Sequence, residues 1–345
     1  MSDEGKTSAY QSENVMEKPR KRGVAGHCAK FWWAYLVALV IITVIVVPVV
    51  ILVAVPKIAQ QKLDDAELTL DSIIMTNSQS ENFTMSVNSV IRSDGKVHAI
   101  IEPFKGVMYI EDLPDHTPFA TLDFPETTSE AFQVVNVTQF TKIDDMGAFT
   151  TFNTWLVNNE TFRVTVMGDT HVKVKGIARR YPVTFKKTID MPGLQMFAGT
   201  TVFDTAITLK PDAEGANFRG KARIPNRSLV TFEVGNATFH NYLFGEEVGT
   251  VYIDNLNLKP GDDNVFPMRA NITQTPIVEA MGEKPWCDTA KGVLPFQLRG
   301  KNVTNNGQYL TYFTDALASG NQSVNIDIRT PFRKLFGSDL PCTKH

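Results

Sequence analysis

The 345-residue chain lacks the signatures by which enzyme chemistry is usually recognised. It contains no Gly-x-Ser-x-Gly elbow, no phosphate-cradling glycine loop, no Cys-x-x-Cys pair and no His-Glu-x-x-His. His98, His116, His171, His240 and His345 are scattered singly, which argues against a zinc site. Asp-x-Asp, which would offer hard oxygen ligands to a nucleotide's divalent cation, is also missing; carboxylates adjoin instead, as Asp144-Asp145 and Asp262-Asp263. Adjacent side chains in a strand point to opposite faces, and Pro260 to Asn264 reads first as a turn. Net charge is small, −3, which gives no reason to expect nucleic-acid binding. No cofactor is implied.

Charge is absent altogether from Phe31 to Val55, where seventeen of twenty-five residues are Leu, Ile, Val or Phe. About twenty apolar helical residues cross a bilayer core, so this is a membrane span, and Pro48 inside it would only kink the helix. Lys18, Arg20, Lys21, Arg22 and Lys30 precede it, whereas Asp64, Asp65, Glu67 and Asp71 outnumber Lys57 and Lys62 after it. The positive-inside rule then places the N-terminus in the cytosol. Trp32, Trp33 and Tyr35 sit at the cytosolic edge as membrane-interface anchors, with ordinary apolar filling as the alternative. A cleaved signal peptide would have an apolar core about half this length, so the segment reads as an uncleaved signal anchor.

Eight Asn-x-Ser/Thr sequons occur, at Asn82, Asn136, Asn159, Asn226, Asn236, Asn271, Asn302 and Asn321, all beyond the span. Chance at this composition gives about three. The excess predicts a lumenal, N-glycosylated region, a Thr-rich β-protein being the competing source of sequons. Cys287 and Cys342 share that oxidising side, where they form either a disulfide, worth roughly 4 kcal/mol by loop closure, or two free thiols. Cys28, next to the membrane, has the position of a palmitoylation site or of a small buried residue.

Sliding the sequence by 135 residues superposes Asn82-Phe83 on Asn217-Phe218, Arg92-Ser93 on Arg227-Ser228, Asn136, Thr138 and Gln139 on Asn271, Thr273 and Gln274, and Met146-Gly147 on Met281-Gly282. The region is a tandem repeat of two domain-sized units. Phe162, Val164 and Val166 alternate with polar residues, a turn is expected at Gly168-Asp169, and Val172, Val174, Tyr181, Val183 and Phe185 continue the alternation. Val324, Ile326 and Ile328 do the same in the second copy. Period two means half-buried antiparallel strands, hence an all-β fold of two tandem β-sandwiches. Each copy carries one helical segment, Phe149 to Val157 and Tyr309 to Ala318, whose Phe152/Leu156 and Phe313/Leu317 pairs share one helix face. That face is expected to cap a sandwich, with Trp155 as core packing in preference to an aromatic site. The second copy has an extra stretch between Met281 and Gln308, including Trp286, Cys287 and Val293 to Leu298.

His27-Cys28-Ala29-Lys30-Phe31-Trp32-Trp33 leading into a Val/Ile-rich span, then Pro56 and a β-rich repeat, resembles a fungal single-pass endomembrane family grouped as a domain of unknown function and related to a vacuolar-membrane protein. Asn217-Phe218 and Ile224 to Ser228 are similar to elements of the late-embryogenesis-abundant group 2 fold, a fibronectin-III-like sandwich. The resemblance implies membrane-tethered sandwiches, a vacuolar membrane or other endomembrane site, and a role in lipid handling, and it supplies no catalytic residues.

The sequence thus predicts a cytosolic tail (1–30) without stable structure, a transmembrane helix (31–56) and two lumenal sandwiches (57–192 and 193–345). The expected function is non-enzymatic binding of a lumenal protein or lipid at the vacuolar membrane, the ER or plasma membrane being alternatives. Lipid transfer through an apolar groove and an unusual type II glycosyltransferase are the competing functions. Arg179-Arg180 and Lys186-Lys187 flank one strand, either as headgroup contacts or as charged guards of a sheet edge.

Overall fold

The Val/Ile-rich run cannot satisfy its backbone in lipid except as a helix, and it is one. The computed structural model describes residues 24–339 and Cys342, with side chains from Trp32 onward. Helix α1 spans Val24–Val49 and passes through Pro48 into a π-helical turn, Val50–Ala54. Proline removes one backbone donor, and a widened turn is a usual way for a helix to absorb the loss. The helix is already formed at Val24, seven residues before the expected boundary at 31. Extending an existing helix is far cheaper than nucleating one, which corrects the reading of residues 24–30 as unstructured. Among the described residues one helix, Trp32–Asp65, is long and apolar enough to cross a membrane, with mean hydropathy 3.5. Lys18 to Arg22, His345 and the Cys28 side chain lie outside the described residues. The chain divides at Val55/Pro56 into two units, each described by itself.

The second unit is built from α2 (Val55–Asp65) onward. Its first half holds β1 (Glu67–Thr76), β2 (Asn82–Arg92), β3 (Ala99–Ile101), β4 (Phe104–Ile110), β5 (Ala120–Phe124), β6 (Thr127–Thr128), β7 (Phe132–Lys142), α3 (Met146–Asn158), β8 (Thr161–Val174) and β9 (Arg180–Pro192). The second half holds β10 (Thr201–Ile207), β11 (Phe218–Arg223), β12 (Val230–Leu243), β13 (Glu246–Leu258), β14 (Val265–Ile272), α4 (Gln274–Gly282), β15 (Val293–Asn305), β16 (Gln308–Tyr309), α5 (Thr311–Ala318), β17 (Gln322–Asp327) and α6 (Arg329–Phe336).

The fold is two tandem β-sandwiches, and five of their strand pairings recur. β1-β2, β2-β7, β4-β5, β4-β8 and β8-β9 in the first half match β10-β11, β11-β14, β12-β13, β12-β15 and β15-β17 in the second. In the first half β1-β2-β7 faces a separate six-stranded sheet. In the second, β13 also pairs with β14, so both layers are one sheet folded over on itself. The two halves are then fused. β1 runs parallel to β12, with Ile73, Ile74 and Met75 opposite Val230, Thr231 and Phe232, and the result is a single eleven-stranded sheet.

The alternating runs bury the expected side: Phe162, Val164, Val166, Tyr181, Val183, Phe185, Val324, Ile326 and Ile328 are all in the core. Three expectations are corrected. No turn forms at Gly168-Asp169, because β8 continues through it to Val174. Gly168 is required there by close approach: a Cβ would sit 2.3 Å from the Lys105 carbonyl oxygen of β4. The topological counterpart of α3 is α4: α3 lies between β7 and β8, and α4 between β14 and β15, whereas α5 is an excursion within the β15–β17 hairpin. Val293 to Leu298 belongs to β15, which has a counterpart in β8, so the added material is the Glu283–Gly292 loop and β16–α5.

Helices α3 and α5 nevertheless meet at the seam between halves. Asp145 caps α3 by accepting a 2.7 Å bond from the Ala148 amide. Phe149 stacks on Phe83 at 5.1 Å and meets the Tyr312 ring edge-on at 4.8 Å. Both Phe152/Leu156 and Phe313/Leu317 are buried, and Trp155 packs edge-on against Phe162.

Candidate functional site

Chemistry offered by the sequence resolves mostly into structural bonds. Arg180 and Lys173 pair with Glu102, at 2.7 Å for the lysine, and those bonds hold the Glu102 carboxyl below its ordinary value. Lys186 lies 3.4 Å from Glu111, whose carboxyl is lowered first by the Thr165 hydroxyl and then by this lysine. Asp144 accepts from Thr121 at 2.6 Å, and Asp145 is the α3 cap. Of the histidines, His116 lies against Tyr109, His240 is 2.7 Å from Glu247, and His98 and His171 are exposed. Among the described residues no three His, Cys, Asp or Glu side chains converge to hold a metal ion.

Of the cations around Tyr181, Lys187 secures the entry to the β region. Lys187 donates to the Asp64 carbonyl at 2.8 Å and to the Ala66 carbonyl, the unsatisfied end of α2. Burial holds the Lys187 ammonium below its ordinary value. Gln60 completes the attachment: its amide nitrogen donates to Thr184 O at 2.8 Å and its oxygen accepts from Thr184 N at 2.9 Å. A glutamine thus pairs with the free edge of β9 as a neighbouring strand would, and α2 is fixed to the first sandwich. Nothing local in the sequence marks Gln60, because its partner lies 124 residues away.

The sequons divide by burial. Asn136, Asn236, Asn271, Asn302 and Asn321 are exposed, and Asn82 and Asn159 are half-buried. Asn226 is 2% exposed, and its amide nitrogen donates to Val230 O at 2.8 Å and Leu258 O at 3.2 Å. Its oxygen accepts from the Ser228 amide and hydroxyl at 2.9 and 2.7 Å. An asparagine with both amide atoms engaged inside the core has no nitrogen free for a glycan in the folded chain, which sets Asn226 apart from the exposed sequons. The Ile-Pro-Asn-x-Ser element is a buried corner that ties the start of β12 to the end of β13. Asn217 does similar work, exchanging two 2.8 Å bonds with the Ile272 backbone.

Cys287 and Cys342 are joined as a disulfide, Cα–Cα 5.5 Å, which ties the Glu283–Gly292 loop to the chain beyond α6. Arg329 and Arg333 both pair with Asp339 in the same segment. Trp32, Trp33 and Tyr35 are exposed on their helix.

Two small cavities lie between the layers of the second sandwich. One is lined by Phe197, Val234, Phe239 and Met268 and the other by Phe218, Asn241, Phe296 and Ile326. They leave about 30 and 20 Å³ for the centres of water-sized spheres, room for one or two waters and not for an acyl chain.

Residues 117–241 match the family described as Protein of unknown function (DUF3712). That stretch runs from the loop before β5 into β12 and so crosses the seam between the halves. The match extends to this family of unknown function and carries no source organism, compartment or late-embryogenesis-abundant relationship. No curated protein matches the chain. Among solved structures, the CupB6 tip adhesin from Pseudomonas aeruginosa is 8% identical, with 76% of this chain and 98% of that chain covered and a TM-score of 0.21. A bacterial adhesin from Mobiluncus mulieris containing intramolecular disulfide, isopeptide and ester bond cross-links is 9% identical, with 68% and 80% covered and a TM-score of 0.21. At these scores the likeness carries no functional argument.

Proposed function

We propose that this protein is a non-enzymatic binding scaffold: two fused sandwiches held at an endomembrane by one signal-anchor helix, N-terminus cytosolic and β region lumenal. The charge asymmetry around the span and the sequon excess support the orientation, and the resemblance noted above favours the vacuolar membrane. One observation carries the functional reading. Most of the charged groups that the sequence offered fix elements to one another, as in Lys187 on α2, Glu102 between Lys173 and Arg180, and Asp145 on α3. What the architecture provides is two sandwiches joined through one sheet, a framework on which a scaffold could present a partner-binding face.

Lipid transfer through the sandwich interior is less well supported, because the two cavities described between the layers of the second half hold only a water or two. The test is a full-length preparation in lipid nanodiscs, assayed against nucleotide sugars and ester substrates and examined by native mass spectrometry. The scaffold reading expects no turnover and no stoichiometric bound lipid. Turnover lost on substituting one carboxylate or serine would overturn it in favour of an enzyme, and a stoichiometric lipid would favour transfer.

A further inference from the structure

The β8–β9 hairpin carries charge that the fold does not neutralise. Its tip, Lys173-Val174-Lys175-Gly176-Ile177-Ala178-Arg179-Arg180, holds four cations and no acid. Among the described residues one carboxylate pairs with it, Glu102, which takes both Lys173 and Arg180. Lys175 and Arg179 are exposed and make no ion pair among the described residues. The turn itself is well bonded. The Ile177 amide donates to Val174 O at 3.0 Å and the Lys175 amide to His98 O at 2.9 Å. Gly176 takes the positive φ, +89°, that the reversal requires.

Its place follows from how α2 is attached. Gln60 pairs with Thr184, and Lys187 reaches the Asp64 and Ala66 carbonyls, so α2 and β9 run in the same direction. Back toward the start of α2, Lys57 is three residues from Gln60, about 4.5 Å of helix. Back along β9, Arg180 is four residues from Thr184, about 13 Å of strand. The hairpin therefore reaches at least the level of Lys57. Lys57 is the first charge after the run that ends at Val55, so that level is where hydrocarbon gives way to headgroups. Lys57 is itself exposed and makes no ion pair among the described residues. Arginine forks and lysine ammoniums are the side chains that hold phosphate oxygens.

We propose that the tip of the β8–β9 hairpin is a second membrane contact: Lys175 and Arg179, with Lys57 beside them, hold the phosphates of phospholipid headgroups in the leaflet at which α2 begins. The opposite charges of the tip and the phosphates carry the choice of partner, and the half-buried Ile177 between the two cations puts an apolar side chain at the same surface. The proposal rests on the reading of the uncharged run as a membrane span. It does not depend on which side of the membrane the β region occupies.

The experiment uses the full-length protein in nanodiscs of phosphatidylcholine, in nanodiscs of equimolar phosphatidylcholine and phosphatidylserine, and in non-ionic detergent, with amide exchange read by mass spectrometry. Exchange across 175–179 should be several-fold slower in nanodiscs than in detergent and slower again with phosphatidylserine. High salt, which screens exposed charges, should reverse much of the slowing. Lys175→Glu combined with Arg179→Glu should return the detergent rate while the Thr184 and β12 amides stay protected, which shows the sandwich intact. Lys175→Arg combined with Arg179→Lys keeps the charge and should keep the slow rate. Equal rates in nanodiscs and detergent, or slowing that survives the double glutamate variant, would overturn the proposal. The same slowing by inorganic phosphate in detergent would overturn it in favour of a free-phosphate site. A chain that fails to float with phosphatidylcholine vesicles would overturn the span reading beneath it.

Discussion

Ile74 of β1 stands opposite Thr231 of β12 in parallel register, and this pairing carries one sheet from the first sandwich into the second. Side chains reinforce the seam: Tyr312 donates to Gln79 O at 2.9 Å, Asn305 to Ser78 O at 3.1 Å, and Asn158 to Ser319 at 2.8 Å. The two repeats are therefore joined into one body, and the consequences can be measured.

Tyr312 is 1% exposed, and burial raises its hydroxyl above the ordinary tyrosine value. Tyr312→Ala removes a ring packed on both Phe149 and Phe313 and should cost about 3–5 kcal/mol. Tyr312→Phe loses only the hydrogen bond, about 1 kcal/mol. In denaturant the wild-type β region should unfold in one transition and Tyr312→Ala in two. Two transitions in the wild type would contradict the fused sheet.

Gln60→Ala should free α2 from β9 while leaving the sandwich folded. The expected stability loss is about 1–2 kcal/mol, since two neutral hydrogen bonds are lost at a partly exposed site. Hydrogen exchange should report it locally, as lost protection of the Thr184 amide without change in the β12 amides. Unchanged protection at Thr184 would show that α2 is held by other contacts.

Much of this architecture is legible in the sequence, and the illegible parts share a cause. The period-two runs around Phe162, Tyr181 and Val324 gave the strands their buried faces, because half-buried strands bring the period with them. The 135-residue register found the duplication because β2 begins at Asn82-Phe83 and β11 begins at Phe218, directly after Asn217. The helix correspondence failed because a Phe/Leu pair at i and i+4 marks any amphipathic helix, and α5 has it as well as α3. Gly168-Asp169 reads as a turn locally, yet its glycine answers to Lys105 on another strand. Asn226 carries a sequon like the other seven, and only the fold shows that its amide is already engaged.

Asn226→Ala leaves the Val230 and Leu258 carbonyls and Ser228 without their buried partner. A loss of about 1–3 kcal/mol is expected. Asn236→Ala, at an exposed sequon with one backbone contact, should change stability by about 0.5 kcal/mol or less. Equal effects at the two sites would contradict the buried corner.

Carboxylates held below their ordinary values set the acid limit, and ion-paired ones illustrate it. Asp94 is lowered by Lys62, Glu102 by Lys173 and Arg180, Asp112 by Arg163, and Asp339 by Arg329 and Arg333. A carboxylate lowered by folding adds stability above its unfolded pKa, near 4, and that stability is lost as pH falls through the folded value. The melting temperature should be nearly level from pH 8 to about 5 and should fall below about 4. A melting temperature that rises on acidification through that range would have the wrong sign.

The most direct test of a lumenal, tethered scaffold is site-by-site glycan occupancy on the full-length protein isolated from its own membranes. The account predicts glycans at the exposed sequons Asn136, Asn236, Asn271, Asn302 and Asn321 and none at the buried Asn226. A chain without glycans, or one glycosylated at Asn226, would contradict it.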